Sequence, residues 1–235
     1  MSNDAQKGFD MIRAVIFDMF ETLITHYHSP LYFSEQMAAD AGIPAEAFRA
    51  IWRPSEHDRT VGKKTLEEAL EKILRANERY SKELLCELVR KRVAIKKDCF
   101  RQLHPEILPM LSALRERGVL IGLISNCFSE EVDVIRESTL YPYVDAGCFS
   151  YEEGVAKPDP EIFRRCMDKL AVNASECLYV GDGGSEELEA ADDLGMTALQ
   201  AVWYLKERTA EVPRHGHFRQ LQSPLDILND IEQKE

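Results

Sequence analysis

Long apolar runs are missing. No stretch approaches the ~18 residues that a transmembrane helix needs, which argues against a membrane-spanning segment or a membrane partner. Residues 1–10 are polar and lack the apolar stretch of a secretory signal, so the chain is expected in the cytoplasm. Six cysteines (Cys86, Cys99, Cys127, Cys148, Cys166, Cys177) are scattered with no CxxC pair. They read as reduced thiols, several packed in the core, rather than as disulfides or a zinc site. Basic residues are scarce: 29 Lys and Arg face 41 Asp and Glu, a formal net charge of −12. That deficit argues against a nucleic-acid partner, because neutralising phosphates with Lys and Arg supplies most of such affinity. Internal repeats and low-complexity linkers are absent as well. What is there is a globular composition, 45% hydrophobic and 30% charged over 235 residues. It suffices for one or two domains and a core that needs no disulfide or metal.

Residues 12–18 (IRAVIFD) form a short apolar run that ends on an acid and fits a buried parallel strand. Residues 119–125 (VLIGLIS) and 178–182 (LYVGD) repeat that form, with further strands expected at 197–203 and 146–151. Amphipathic helical stretches at 106–117, 129–138, 159–170 and 185–194 lie between them. Such alternation predicts an α/β fold, a Rossmann-like parallel sheet. Residues 25–104 read differently, with apolar residues at helical spacing such as Leu66, Leu70, Ile73 and Leu74. Helices are expected near 31–41, 44–53, 65–78 and 81–98, broken by Gly42-Ile43-Pro44 and Val61-Gly62. The predicted organisation is a core of residues 1–24 and 105–235 with an inserted all-helical domain at 25–104. Insertions of this kind are best tolerated in loops at the functional end of a sheet.

Charge divides along the same line. Residues 25–104 carry 15 basic and 12 acidic side chains, the remainder 14 and 29. A mildly basic module over an acidic core suits an anionic substrate held between them. The runs Arg90-Lys91-Arg92 and Lys96-Lys97 themselves read as solvated helix faces.

In open α/β sheets ligands bind outside the carboxyl ends of the strands. Those ends deliver Asp18-Met19-Phe20-Glu21-Thr22, then Ser125-Asn126, then Asp182-Gly183-Gly184-Ser185 with Glu186 and Glu187 behind. Lys157-Pro158-Asp159-Pro160 stands ahead of the helix at 159–170, its prolines stiffening the turn and starting the helix. Carboxylates, a hydroxyl, an ammonium and glycine-turn amides together suit a phosphoryl group and a divalent cation. The carboxylates match the oxygen ligands that Mg²⁺ takes. Phosphoryl transfer asks mainly for positioning and charge neutralisation. One carboxylate can then serve as a nucleophile.

Four segments in this order resemble the haloacid dehalogenase superfamily of hydrolases, in the branch whose helical cap is inserted after the first motif. VIFDMFETL is similar to its nucleophile motif, LISN to the hydroxyl motif, EEGVAKPDPEIF to the lysine motif and YVGDGGSEELEAADDLGM to the acidic motif. The resemblance covers residues 12–203. It implies that Asp18 is the nucleophile and that Phe20 offers its backbone carbonyl to a metal. It implies further that Ser125 and the Asn126 amide hold phosphate oxygens, and that Lys157 bridges phosphate and nucleophile. Asp182 would hold the metal, with Glu187 where the family often has a second Asp.

One departure is prominent. Phosphatases of the superfamily usually carry an Asp two residues after the nucleophile, as a general acid; here Phe20 stands there. An aromatic at this place resembles the dehalogenase branch, yet that branch generally lacks the metal-holding acids that Asp182 and Glu187 supply. In the insertion, Arg59-Thr60-Val61-Gly62-Lys63-Lys64-Thr65 combines a glycine break with cations, and such cap loops often close over the substrate. Arg59 and Lys63 are its candidate substrate contacts. Thr65 and Glu68 form a capping box, and Phe48 and Trp52 read as core. The expected function is a Mg²⁺-dependent hydrolase, a phosphatase of a small phosphorylated metabolite that works through an aspartyl-phosphate. The alternatives are a 2-haloacid dehalogenase, a phosphonate-cleaving hydrolase, and a phosphate-binding protein with little turnover.

Overall fold

The computed structural model describes residues 11–205 and 216–231, so the polar segment 1–10 and parts of the 105–235 segment lie outside the described residues. The strands are β1 (Ala14–Phe17), β2 (Leu120–Ser125), β3 (Ala146–Phe149), β4 (Cys177–Gly181), β5 (Thr197–Ala201) and β6 (Arg219–Leu221). The helices are α1 (Ser34–Ala41), α2 (Ala45–Trp52), α3 (Glu56–Thr60), α4 (Leu66–Ala76), α5 (Lys82–Cys99), α6 (Ile107–Glu116), α7 (Ser129–Arg136), α8 (Ser150–Glu153), α9 (Pro160–Leu170) and α10 (Glu187–Asp193).

The six strands form one parallel sheet in the order β3-β2-β1-β4-β5-β6. All four residues of β1 are buried, because alternate side chains serve two cores. Val15 and Phe17 join Ile121, Leu123 and Val180 on one face; Ala14 and Ile16 join Ile124, Phe163 and Tyr179 on the other. Gly122 permits the second packing, since a Cβ there would lie 2.9 Å from Ile16 Cγ1 and 3.0 Å from Cys166 Sγ. Strand order reverses at β1, with β2 on one side and β4 on the other. A crevice at such a reversal is where α/β sheets bind ligands.

Helices α1–α5 follow β1 and precede α6, and they pack around Met37, Phe48, Leu70 and Ile73. The capping box forms as expected: Glu68 N–H donates to Thr65 Oγ1 at 3.2 Å, and Thr65 N–H to Glu68 Oε2 at 2.8 Å.

Several expectations need correction. The strand expected to 151 stops at Phe149, where Ser150 opens the short α8. Ser150 Oγ accepts from Cys127 N–H at 2.9 Å, a bond that ties the turn to the end of β2. No helix was expected between those at 44–53 and 65–78, where α3 lies. Strand β6 was not expected, for its three residues (RQL) carry no apolar run. The helix expected from 185 starts at Glu187, because Ser185 and Glu186 take left-handed φ values of 56° and 51°.

The cation runs also divide. Arg90, Lys91 and Lys97 are exposed as expected, whereas Arg92 and Lys96 are buried. These two occupy the buried stripe of α5 with Leu88 and Cys99. Each meets a glutamate of α7, Arg92 Nε donating to Glu130 Oε1 at 2.6 Å and Lys96 Nζ to Glu131 Oε1 at 2.5 Å. Among the described residues no helix is long and apolar enough to cross a membrane.

Candidate active site

Three strand ends and one loop meet at the crevice. Asp18 extends the ladder one residue past β1, its N–H donating to Val180 O at 2.8 Å. Its Oδ2 accepts from Thr22 Oγ1 at 3.3 Å. Lys157 reaches in from the loop before α9, its ammonium donating to Asp18 Oδ1 and to Glu187 Oε2. Tyr179 Oη, 3.3 Å from that ammonium, donates to Glu187 Oε2 at 2.9 Å. The Asn126 side chain fixes the loop by a reciprocal pair: Nδ2 donates to Lys157 O at 3.0 Å, and Lys157 N–H to Oδ1 at 2.8 Å.

Asp182 follows β4. Its Oδ1 accepts from Gly184 N–H at 2.9 Å, and its backbone carbonyl accepts from Gln200 Nε2 at 2.8 Å. The left-handed turn at Ser185 and Glu186 then folds Glu187 back over Gly181. In this position the carboxylate leaves no space for a side chain beneath it, since a Cβ on Gly181 would lie 2.0 Å from Glu187 Oε1. Backbone in that region costs of order 1–3 kcal/mol per non-glycine residue, and such strain clusters at functional sites.

Asp18, Asp182 and Glu187 each bring an oxygen within 4.8 Å of the others'. A donor set of carboxylate oxygens fits a hard divalent cation such as Mg²⁺. Burial pushes the Glu187 carboxyl up to about 8, with the charge of Asp18 adding to the rise and Lys157 offsetting part of it. Burial opposes the Lys157 ammonium, but Asp18 and Glu187 outweigh it and raise its pKa. The lysine therefore stays charged, and its two acids hold it in place.

Asp18, Phe20, Asn126, Lys157, Asp182 and Glu187 line one cavity of about 470 Å³. Ser125 stands at the end of β2, fully buried, with its hydroxyl unpaired. The two candidates of the insertion part company. Arg59 lines the cavity from α3, while Lys63 is exposed outside it. Trp52 packs in the helical core and also lines the cavity.

A second group on the cavity wall escaped the sequence reading. His26 stacks on Phe20, and its Nδ1 lies 3.2 Å from Glu21 Oε1 while its Nε2 lies 2.7 Å from Lys96 Nζ. Burial and the neighbouring Lys96 lower the His26 pKa, so the imidazole is neutral. Burial works against the charged form of Glu131, but Lys96 and Arg92 hold its carboxyl below the usual range. The available signal was the placement of Arg92 and Lys96 four residues apart on the apolar stripe of α5.

A family model of haloacid dehalogenase-like hydrolases matches residues 12–195. A phosphatase of Mycobacterium tuberculosis is 30% identical over 132 residues, which are 55% of this chain and 58% of that protein. The chain spans 36% to 58% of the length of several curated relatives it matches. A 2-haloacid dehalogenase from Pseudomonas syringae superposes with a TM-score of 0.66 at 20% identity, covering 94% of this chain and 98% of that one. A variant of a HAD family enzyme from Bacteroides thetaiotaomicron, in complex with magnesium and inorganic phosphate, gives 0.60 at 18% identity, covering 88% and 99%. With the match running through the four motif segments and strands β1 to β4, the chain belongs to the haloacid dehalogenase-like hydrolases.

Proposed function

We propose that the protein is a divalent-metal-dependent phosphatase of a small phosphorylated metabolite and that it works through an aspartyl-phosphate on Asp18. The observation that carries this reading is the convergence of Lys157 with three carboxylates, Asp18, Asp182 and Glu187, at the sheet reversal. An ammonium beside three acids neutralises part of their charge and leaves the rest for a divalent cation, and the two cations together face the oxygens of a phosphoryl group. A phosphatase relative, and a fold neighbour in complex with magnesium and inorganic phosphate, support the choice.

Asp18, Asp182 and Glu187, with the backbone carbonyl of Phe20, would hold Mg²⁺, which when bound supplies positive charge for the phosphoryl oxygens. Lys157 keeps one oxygen of Asp18 aimed and bears charge toward the phosphate. The unpaired hydroxyl of Ser125 supplies a donor that has no acceptor within the protein, and the Asn126 amide serves beside it. An Asp18 oxygen forms a bond to phosphorus as the ester P–O bond breaks and the alkoxide departs. Water then attacks the acyl phosphate, which frees Asp18 and inorganic phosphate. The helices of residues 25–104 act as a cap that shields both steps from bulk water.

Purified protein assayed against phosphorylated metabolites, with Mg²⁺ and with EDTA, tests the reading. Metal-dependent phosphate release and a trapped phosphoryl group on Asp18 are expected. Phe20 favours a second reading, dehalogenation, in which a halide leaves without a proton. Halide release from 2-haloacids that persists in EDTA would establish that reading instead.

A further inference from the structure

The cavity contains a buried cation without an anion. Arg59 is 1% exposed, and its Nη1 is buried with no hydrogen-bond partner. Its Nε donates to Ser55 Oγ at 3.2 Å, and its Cζ lies 3.6 Å from the Trp52 ring centroid and 4.3 Å from that of Phe128. These contacts anchor the side chain, yet none brings negative charge. Arg92 and Lys96, buried on the same wall, are each matched by a glutamate of α7. Among the described residues no carboxylate stands within ion-pair distance of Arg59. Burial lowers its pKa to about 10, Glu130 partly offsets that, and Arg92 adds repulsion, so the group is still charged at neutral pH. A buried charge is costly unless paired, and a buried unsatisfied donor in a folded protein calls for a partner.

We infer that Arg59 forms a second oxyanion subsite, so that the substrate carries a carboxylate or a second phosphoryl group besides the one held at Asp18. The inference rests on the phosphatase reading, since Arg59 and Asp18 line the same cavity. The guanidinium fork matches both oxyanions, and stacking against Trp52 and Phe128 leaves its edge for in-plane hydrogen bonds. Phe33, Trp52 and Phe128 supply the apolar part of this wall, which strengthens any charge pair formed there.

The test compares phosphoglycerate, glycerol phosphate and propanediol bisphosphate, with p-nitrophenyl phosphate as a substrate bearing one anion. Wild-type kcat/KM for the better of the two doubly anionic esters is expected to exceed that for glycerol phosphate by ~10-fold or more, as charged hydrogen bonds give. Which of the two is better identifies the oxyanion. Arg59→Met should bring the ratio close to one, mostly through KM, and Arg59→Lys should leave an intermediate ratio. A wild-type ratio near one, or a ratio that survives either replacement, overturns the subsite. If Arg59→Met does not fold, Arg59→Lys and the wild-type ratio decide. Absence of turnover for every ester, p-nitrophenyl phosphate included, counts against the phosphatase reading alone. Calorimetric binding of phosphoglycerate against glycerol phosphate then decides the subsite by the same ratio.

Discussion

Phe20 lies stacked on His26, ring centroids 4.7 Å apart and planes 17° from parallel. The position two residues after Asp18, the proposed nucleophile, is thus filled by an aromatic packed on an imidazole, and the Phe20 side chain itself has no proton to give. Transfer to Asp18 should therefore depend steeply on leaving-group pKa, with aryl and acyl phosphates fast and alkyl phosphates slow. Phe20→Asp should speed alkyl ester hydrolysis by at most ~10²–10⁴-fold, the usual worth of acid–base assistance. The gain will fall short of that where packing against His26 misplaces the carboxylate. The measurement is kcat/KM across a leaving-group series for both proteins. A flat series in the wild type would show that another group on this wall delivers the proton.

Metal binding should depend on Asp182 and on pH. Asp182→Ala removes one of three clustered oxygen donors, so Mn²⁺ or Mg²⁺ affinity should drop ~10-fold or more by titration calorimetry. Burial pushes the Glu187 carboxyl up to about 8, so around neutral pH protons compete with the ion for this carboxylate. Only the carboxylate binds the ion, so binding releases a proton and affinity should rise from pH 6 to 8 and level off above. Glu187→Gln should flatten that slope. Equal affinity at pH 6 and 8 in the wild type would contradict the account.

Gly181→Ala offers a sharper probe, because it removes no donor or acceptor. The new methyl would collide with Glu187 Oε1 and press on the Tyr179 ring at 3.1 Å, while β4 stays held between β1 and β5. Glu187 should be displaced, weakening metal binding about as much as Glu187→Gln does, while far-UV circular dichroism stays wild-type. Unchanged affinity would show that Glu187 has no part in the metal site.

The α5–α7 contact should respond to charge removal in a characteristic way. Glu131→Gln leaves the Lys96 ammonium buried beside a neutral group and should cost about 3–5 kcal/mol in urea denaturation. Lys96→Met added to it removes the stranded charge and should restore most of that stability. A double variant less stable than Glu131→Gln would mean that Lys96 stabilises the fold through His26 rather than through Glu131.

The order of strands and helices was legible in the residues because burial on a sheet face or helix stripe is recorded locally, as periodicity. VIFD, LISN and VGD announce strand ends, and sheet chemistry places their last residues at one edge. Asp18, Ser125 and Asp182 were singled out that way, and Lys157 from the proline-stiffened turn ahead of a helix. The pairings were not legible. Arg92 and Glu130 lie 38 residues apart, and His26 and Lys96 lie 70 apart, so their meeting depends on how α5 settles against α7 and against the segment that follows β1. A sequence records that a lysine sits on an apolar stripe, but not which acid will face it. Arg59 shows the same division: its charge was plain in the chain, while its burial without a carboxylate came only from α3 packing its guanidinium against Trp52 and Phe128. Local pattern determined the elements, and the partners of each buried charge were decided by long-range packing, which local pattern does not encode.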